Sequence, residues 1–98
     1  MSDTIEDIIK EVRGMYGFRA PEKAERLARF LHKDQTYGEA TYADGHLQKV
    51  VNLIIGELAS SHYEYRDLVL AIAWLHDAIE DTEATYETIS GIFGHNVA

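Results

Sequence analysis

Apolar residues recur along this chain with the period of a helix, and the polar ones gather at the breaks between such runs. Ile5, Ile8, Ile9 and Val12 fall at i, i+3, i+4 and i+7, which predicts a first helix with one buried stripe. Asp3 or Thr4 stands where a side chain can cap its start, and Gly14 where it must stop. After a short loop, Pro21 sits at the first turn of a second helix that turns Ala24, Leu27, Ala28 and Leu31 inward. The stretch from Thr36 to Asp44 has the glycine, threonine and aspartate content of a loop. A third helix then begins near Asp44 and buries Leu47, Val50, Val51, Ile54 and Leu58. A fourth runs from about Tyr65 to Asp81. Its centre is apolar on every side, the pattern of a helix at the heart of a bundle. Thr85 caps a short fifth helix holding Ile89, Ile92 and Phe93, interrupted by Gly91 and Gly94. No alternating pattern of useful length appears, so the expected fold class is all-α, with Trp74 and Phe30 in the core.

The polar break that changes this picture follows the most apolar run. Trp74-Leu75 lead into His76-Asp77, and Glu80-Asp81 follow one helical turn later. On a continuous helix these four positions share a face. An imidazole and three carboxylates crowded at the end of a buried run are costly without a compensating cation. Acids near a helix C-terminus also oppose its dipole, which favours a functional reading over a merely solvated end. His46, at the start of the third helix, supplies a second imidazole from a separate element. A nitrogen, nitrogen, oxygen donor set suits manganese, iron or zinc better than calcium. Glu80 and Asp81 are then placed to position and deprotonate a water.

His32 ends the second helix beside Lys33, where stabilising the helix dipole, facing a substrate and ligating a metal are all open to it. Tyr37, Tyr42 and Tyr63 are candidates to line a pocket, while His62 and His95 lie in polar stretches and read as surface. There is no phosphate-binding glycine loop, no dinucleotide fingerprint and no nucleophilic-serine motif.

Charge narrows the partners. The net charge is −8, and eight of the nine Lys and Arg residues precede residue 50. Such a surface repels a nucleic-acid polymer. It leaves room for a small phosphorylated ligand if a metal and the basic residues between Arg13 and Lys33 neutralise it. The chain has no cysteine, which excludes disulfides, thiol nucleophiles and thiolate metal sites. The longest apolar run, Leu68 to Leu75, is too short to span a bilayer, and the N-terminus opens acidic without a secretory signal. A cytoplasmic protein without membrane contact is expected.

With 98 residues the chain makes one domain with a single modest core. His95-Asn96-Val97-Ala98 read as the start of another element. Five helices leave a centrally placed apolar helix incompletely covered. The expectation is therefore of a domain incomplete at its C-terminus, or one covered by a partner chain as in a homo-oligomer.

The segment Ala73-Trp74-Leu75-His76-Asp77-Ala78-Ile79-Glu80-Asp81-Thr82, with Ile89 and Phe93-Gly94 after it, resembles the HD-domain metal phosphohydrolases. It is most similar to the hydrolase domain of RelA/SpoT-type alarmone enzymes. Upstream, His32, Gln35, Gly38, Tyr42 and His46 resemble the H-x-x-Q … G … Y … H run of the same family. The likeness spans about residues 24 to 97. It implies an HD-type helical bundle without the full domain's C-terminal helices, with His46, His76 and Asp77 as metal ligands, usually of manganese. Glu80 and Asp81 are implied as the pair that activates water, and His32, Lys33 and Tyr42 are the candidates for contact with substrate. The implied reaction removes the 3′-pyrophosphate from guanosine tetra- or pentaphosphate.

The chain departs from the family in two places. Thr36, Tyr37 and Gly38 stand where the family has basic residues, which opens the alternative of another nucleotide or phosphate ester. The family's last metal-binding aspartate lies beyond Ala98, which opens the alternative of a non-catalytic fragment or interaction domain with an incomplete metal site.

Overall fold

The computed structural model describes residues 4–58, 62–82 and 84–94. The helix α1 (Ile5–Arg13) is capped by Thr4, whose Oγ1 accepts from the Asp7 amide at 3.2 Å. Its stripe works as the spacing requires, because Ile8 and Val12, one turn apart, are both fully enclosed. In α2 (Ala20–Leu31), Glu22 reaches back to accept from the Arg19 amide at 2.9 Å, and Pro21 fills the first turn. Ala24, Leu27, Ala28 and Phe30 form its buried face, with Leu31 partly covered.

The segment expected to be a loop folds into a small antiparallel hairpin, β1 (Thr36–Tyr37) and β2 (Ala40–Thr41), in the register Thr36↔Thr41 and Tyr37↔Ala40. Gly38, with φ +66°, opens its two-residue connection, a position that favours glycine. A strictly all-α chain is thus corrected to a mostly helical one carrying a two-stranded ribbon.

Chain then winds through a π-helical turn, Ala43–Leu47, directly into α3 (Gln48–Glu57). Leu47 and Val51 are buried, while Val50, Ile54 and Leu58 are only partly covered.

The expected fourth helix is the larger correction. It starts at Tyr63 and stops at Leu75, giving α4 (Tyr63–Leu75), and a separate single turn follows as α5 (Ala78–Asp81). Asp77 sits between them at φ −100° and ψ 0°, in the sparsely populated bridge region. His76 Nδ1 lies 2.6 Å from the Ala73 carbonyl, a bond that closes the last turn of α4 locally. Residues 76, 77, 80 and 81 therefore do not stack along one continuous helix.

The helix α6 (Tyr86–Phe93) is capped by Thr85, whose Oγ1 accepts from the Thr88 amide at 3.2 Å. Gly91 lies inside it and Gly94, at φ +89°, ends it.

Helices α2 and α4 pack at the centre, with α3 against α4 and α1 bridging α2 to α6. Ala71, Ala73, Trp74 and Leu75 carry the buried face of α4. Leu68, Val69, Leu70 and Ile72 are only partly covered, so α4 is central without being enclosed all round. Among the described residues no helix is long and apolar enough to cross a membrane. The expectations for Asp3, His95 and the last four residues, and for the side chain of Tyr63, lie outside the described residues.

Candidate metal centre

Three donor atoms converge where the end of α4 meets the π turn. His46 Nε2 lies 3.5 Å from Asp77 Oδ2, and His76 Nε2 lies 3.0 Å from the same oxygen. All three donor atoms fall within 4.8 Å of one another. Two ligands each about 2.1 Å from one ion sit about 3.0 Å apart at a right angle and about 3.4 Å apart at the tetrahedral angle. The two histidine–aspartate separations are of that size.

The local fold explains the convergence. The break after Leu75 frees Asp77 from the helical direction, and the π turn presents His46 from a separate element. Because the Ala73 carbonyl can only accept, His76 Nδ1 must carry the proton, which leaves the Nε2 lone pair free for a cation. A ligating histidine fixed through its other nitrogen is the usual arrangement in metal sites. The donor set therefore fits a divalent metal, with the first-row transition ions preferred over calcium.

Around these atoms lies an aromatic wall. Tyr42 donates its hydroxyl to Asp77 Oδ2, and burial, reinforced by that bond, pushes the phenol well above its ordinary pKa. It stays a donor at any physiological pH. The Tyr42 ring stacks on His32 at 4.7 Å between centroids and meets the His46 ring at 5.1 Å. Tyr37, half exposed on β1, stands 5.4 Å from the His46 ring. Gly45 makes room for it, since a Cβ there would lie 3.0 Å from both the Cβ and the carbonyl oxygen of Tyr37.

The π turn is held from the other side by Arg29, which donates to Asp44 at 2.8 Å and to Gln48 at 3.3 Å while lying over the Trp74 ring. Burial opposes the Arg29 charge, but its bonds to Asp44 and Glu25 outweigh this and raise its pKa; the same guanidinium lowers that of Asp44.

The remaining expected residues are dispersed. His32 is fully buried and reaches the cluster only through Tyr42. Lys33 is exposed, its ammonium 4.2 Å from the centre of the Phe30 ring, with no bond to the cluster. Glu80 and Asp81 are exposed on α5. Asp81 is near enough for its charge to act on Tyr42, whereas Glu80 makes no hydrogen bond or ion pair among the described residues. His62 is exposed, as expected, and caps α4 by accepting from the Glu64 amide at 3.3 Å.

Tyr37, a candidate to line a pocket, does stand beside the site, whereas Gly45 is a neighbour that sequence reasoning did not assign to it. A glycine immediately before a ligand histidine was the available signal.

Compared with family models, with curated proteins and with solved structures, the chain matches none.

Proposed function

We propose that the chain is a metal-dependent phosphohydrolase domain of the HD type, acting on a guanosine nucleotide that carries a 3′-pyrophosphate. The observation that carries this reading is the convergence of His46 Nε2, His76 Nε2 and Asp77 Oδ2 from two separate elements. The resemblance of the His76–Thr82 segment to that family supplies the reaction class. His46, His76 and Asp77 hold the cation, manganese in the first instance. When bound, such an ion polarises a phosphoryl oxygen and neutralises phosphate charge. Glu80 and Asp81, on the turn that follows the ligands, orient a water and take its proton as its oxygen attacks phosphorus. The bond from phosphorus to the ribose 3′ oxygen breaks, and that oxygen leaves with a proton. Lys33 and Tyr42 are the residues of the same end assigned to the substrate, with His32 supporting the Tyr42 ring.

A second reading keeps the chemistry and changes the substrate to another nucleotide or phosphate ester. The uncharged, exposed Thr36 and Tyr37, the latter beside His46, stand where the family carries basic residues and favour it.

Calorimetric titration of the metal-free chain with manganese tests the centre. Near one ion per chain is expected, with binding lost in Asp77→Asn, followed by release of pyrophosphate from guanosine tetraphosphate. Absence of binding, or binding unchanged in Asp77→Asn, sinks the proposal. Turnover of other phosphate esters with none of guanosine tetraphosphate selects the second reading.

A further inference from the structure

We infer that Gln35 is a positioning residue that sets the place of α5, and with it Glu80 and Asp81, relative to the metal ligands. The inference rests on the function proposed above for those two acids.

Gln35 ties two nearby segments, at His32 and Tyr42, to Asp81, which is 46 positions away. Its side-chain amide is engaged at both ends: Nε2 donates to the Asp81 carbonyl at 2.9 Å, and Oε1 faces His32 Nδ1 at 3.0 Å. Its main chain is engaged as well, the carbonyl accepting from the Tyr42 amide at 2.9 Å and the amide donating to the His32 carbonyl at 3.0 Å. One residue thus ties the end of α2, the strand leading into the π turn, and the last turn before Thr82.

The polarity of the strut is fixed by chemistry. A main-chain carbonyl only accepts, so the Gln35 NH2 must face Asp81 and its Oε1 must face the histidine. His32 Nδ1 then carries the proton. Its Nε2 is left as a lone pair, buried and without a partner among the described residues. An unpaired buried acceptor opposes folding, and an apolar ring would fill the same space without that cost. What the imidazole supplies, and an apolar ring does not, is the donor that holds Gln35 in line.

The short helix needs such a tether. It is a single turn, Ala78–Asp81, and Asp77 at its cap position makes no side-chain capping bond. An isolated turn does not hold its own geometry in water, because nucleation fixes several residues for one hydrogen bond. The candidate metal ligands, by contrast, all precede that turn: His46 lies in the π turn, His76 ends α4, and Asp77 stands at the cap position of α5.

That separation makes the inference testable in the full chain with Gln35→Ala and Gln35→Glu. The second variant keeps an acceptor for His32 and replaces the donor to Asp81 by a carboxylate oxygen that the carbonyl repels, so it also serves if Gln35→Ala fails to fold. Backbone order parameters at residues 78–82 are expected to fall from about 0.85 toward 0.6 in both variants, with the core helices unchanged. Manganese affinity, read by calorimetry, stays within about threefold, while kcat falls about 10–100-fold at unchanged KM, the range typical of a lost supporting bond. Unchanged order at residues 78–82 overturns the inference, and so does a loss of manganese affinity in step with kcat. If the native chain turns over no phosphate ester, the proposed function fails, and the order parameters still decide whether Gln35 positions α5.

Discussion

The packed heart of the molecule and the end of α4 that carries the candidate ligands are built on opposite terms. At the heart, Leu27, Val12, Ile8 and Ile89 are enclosed by neighbours of the same kind, and any well-fitting apolar side chain would serve nearly as well. At the ligand end, direction matters more than volume. His76 is aimed by the Ala73 carbonyl, Asp77 is held by Tyr42, and Gln35 reaches across to Asp81. Trp74 belongs to both regions, since it is buried in the core and carries Arg29, which grips the π turn. The first region is organised by the removal of apolar surface from water, the second by individually placed donors and acceptors. Substitutions should therefore separate stability from metal binding.

The largest effect is expected at the residue the two regions share. Trp74→Ala should cost about 3–5 kcal/mol by emptying a large volume in the core, which urea denaturation will measure; a loss below about 1 kcal/mol would mean that the indole is not packed as described. At the ligand end, Tyr42→Phe keeps the ring and removes the donor to Asp77. Its expected signature is a manganese affinity about 10–100-fold weaker with little change in unfolding midpoint. A fall in the midpoint without a change in affinity would assign Tyr42 to the core instead.

The smallest effect concerns the Arg29–Asp44 pair that pins the π turn. Asp44 has a pKa below its ordinary 3.8 because Arg29 bonds it, so its carboxylate binds protons less readily in the folded chain than in the unfolded one. Its contribution to stability is therefore present above about pH 4 and lost as pH falls through the lowered folded value. Comparing acid unfolding of the native chain with Asp44→Asn checks this. The two curves should differ slightly near neutrality and converge in acid, and curves that run parallel throughout would remove the pair from the account. Asp44 is exposed, so salt should shrink the difference as well.

The comparison also explains which parts of the molecule were legible in the sequence. Helices α1 and α6 follow from apolar spacing, a capping threonine and a terminal glycine, and α2 from apolar spacing and Pro21 in its first turn, all of them local signals. The association of His46 with His76 and Asp77 was legible as chemistry, through donor types on separate elements. The break after Leu75 was not, because nothing between Leu68 and Asp81 is a helix breaker by composition. It arises from bonds to Ala73 and Tyr42, the latter 35 residues away in the chain. The hairpin escaped because strands of two residues are too short to show an alternation. Gln35 was visible only as a spacing from His32; its bond to Asp81 spans 46 positions and leaves no trace in either local pattern.

The π turn at Ala43–Leu47 has a consequence for how this region tolerates change in length. A π turn holds one more residue than an α turn, in the manner of a single-residue insertion absorbed by a helix. Each residue of an α-helix advances about 100° around the axis. The extra residue therefore lets α3 keep the phase its apolar contacts demand while His46 takes a bearing that those contacts alone would not give it. Imidazole direction and helix packing become separately adjustable quantities, set on either side of Gln48. Removing one residue from this turn would leave α3 seated and turn His46 away from Asp77, a change of phase with hardly any change of fold.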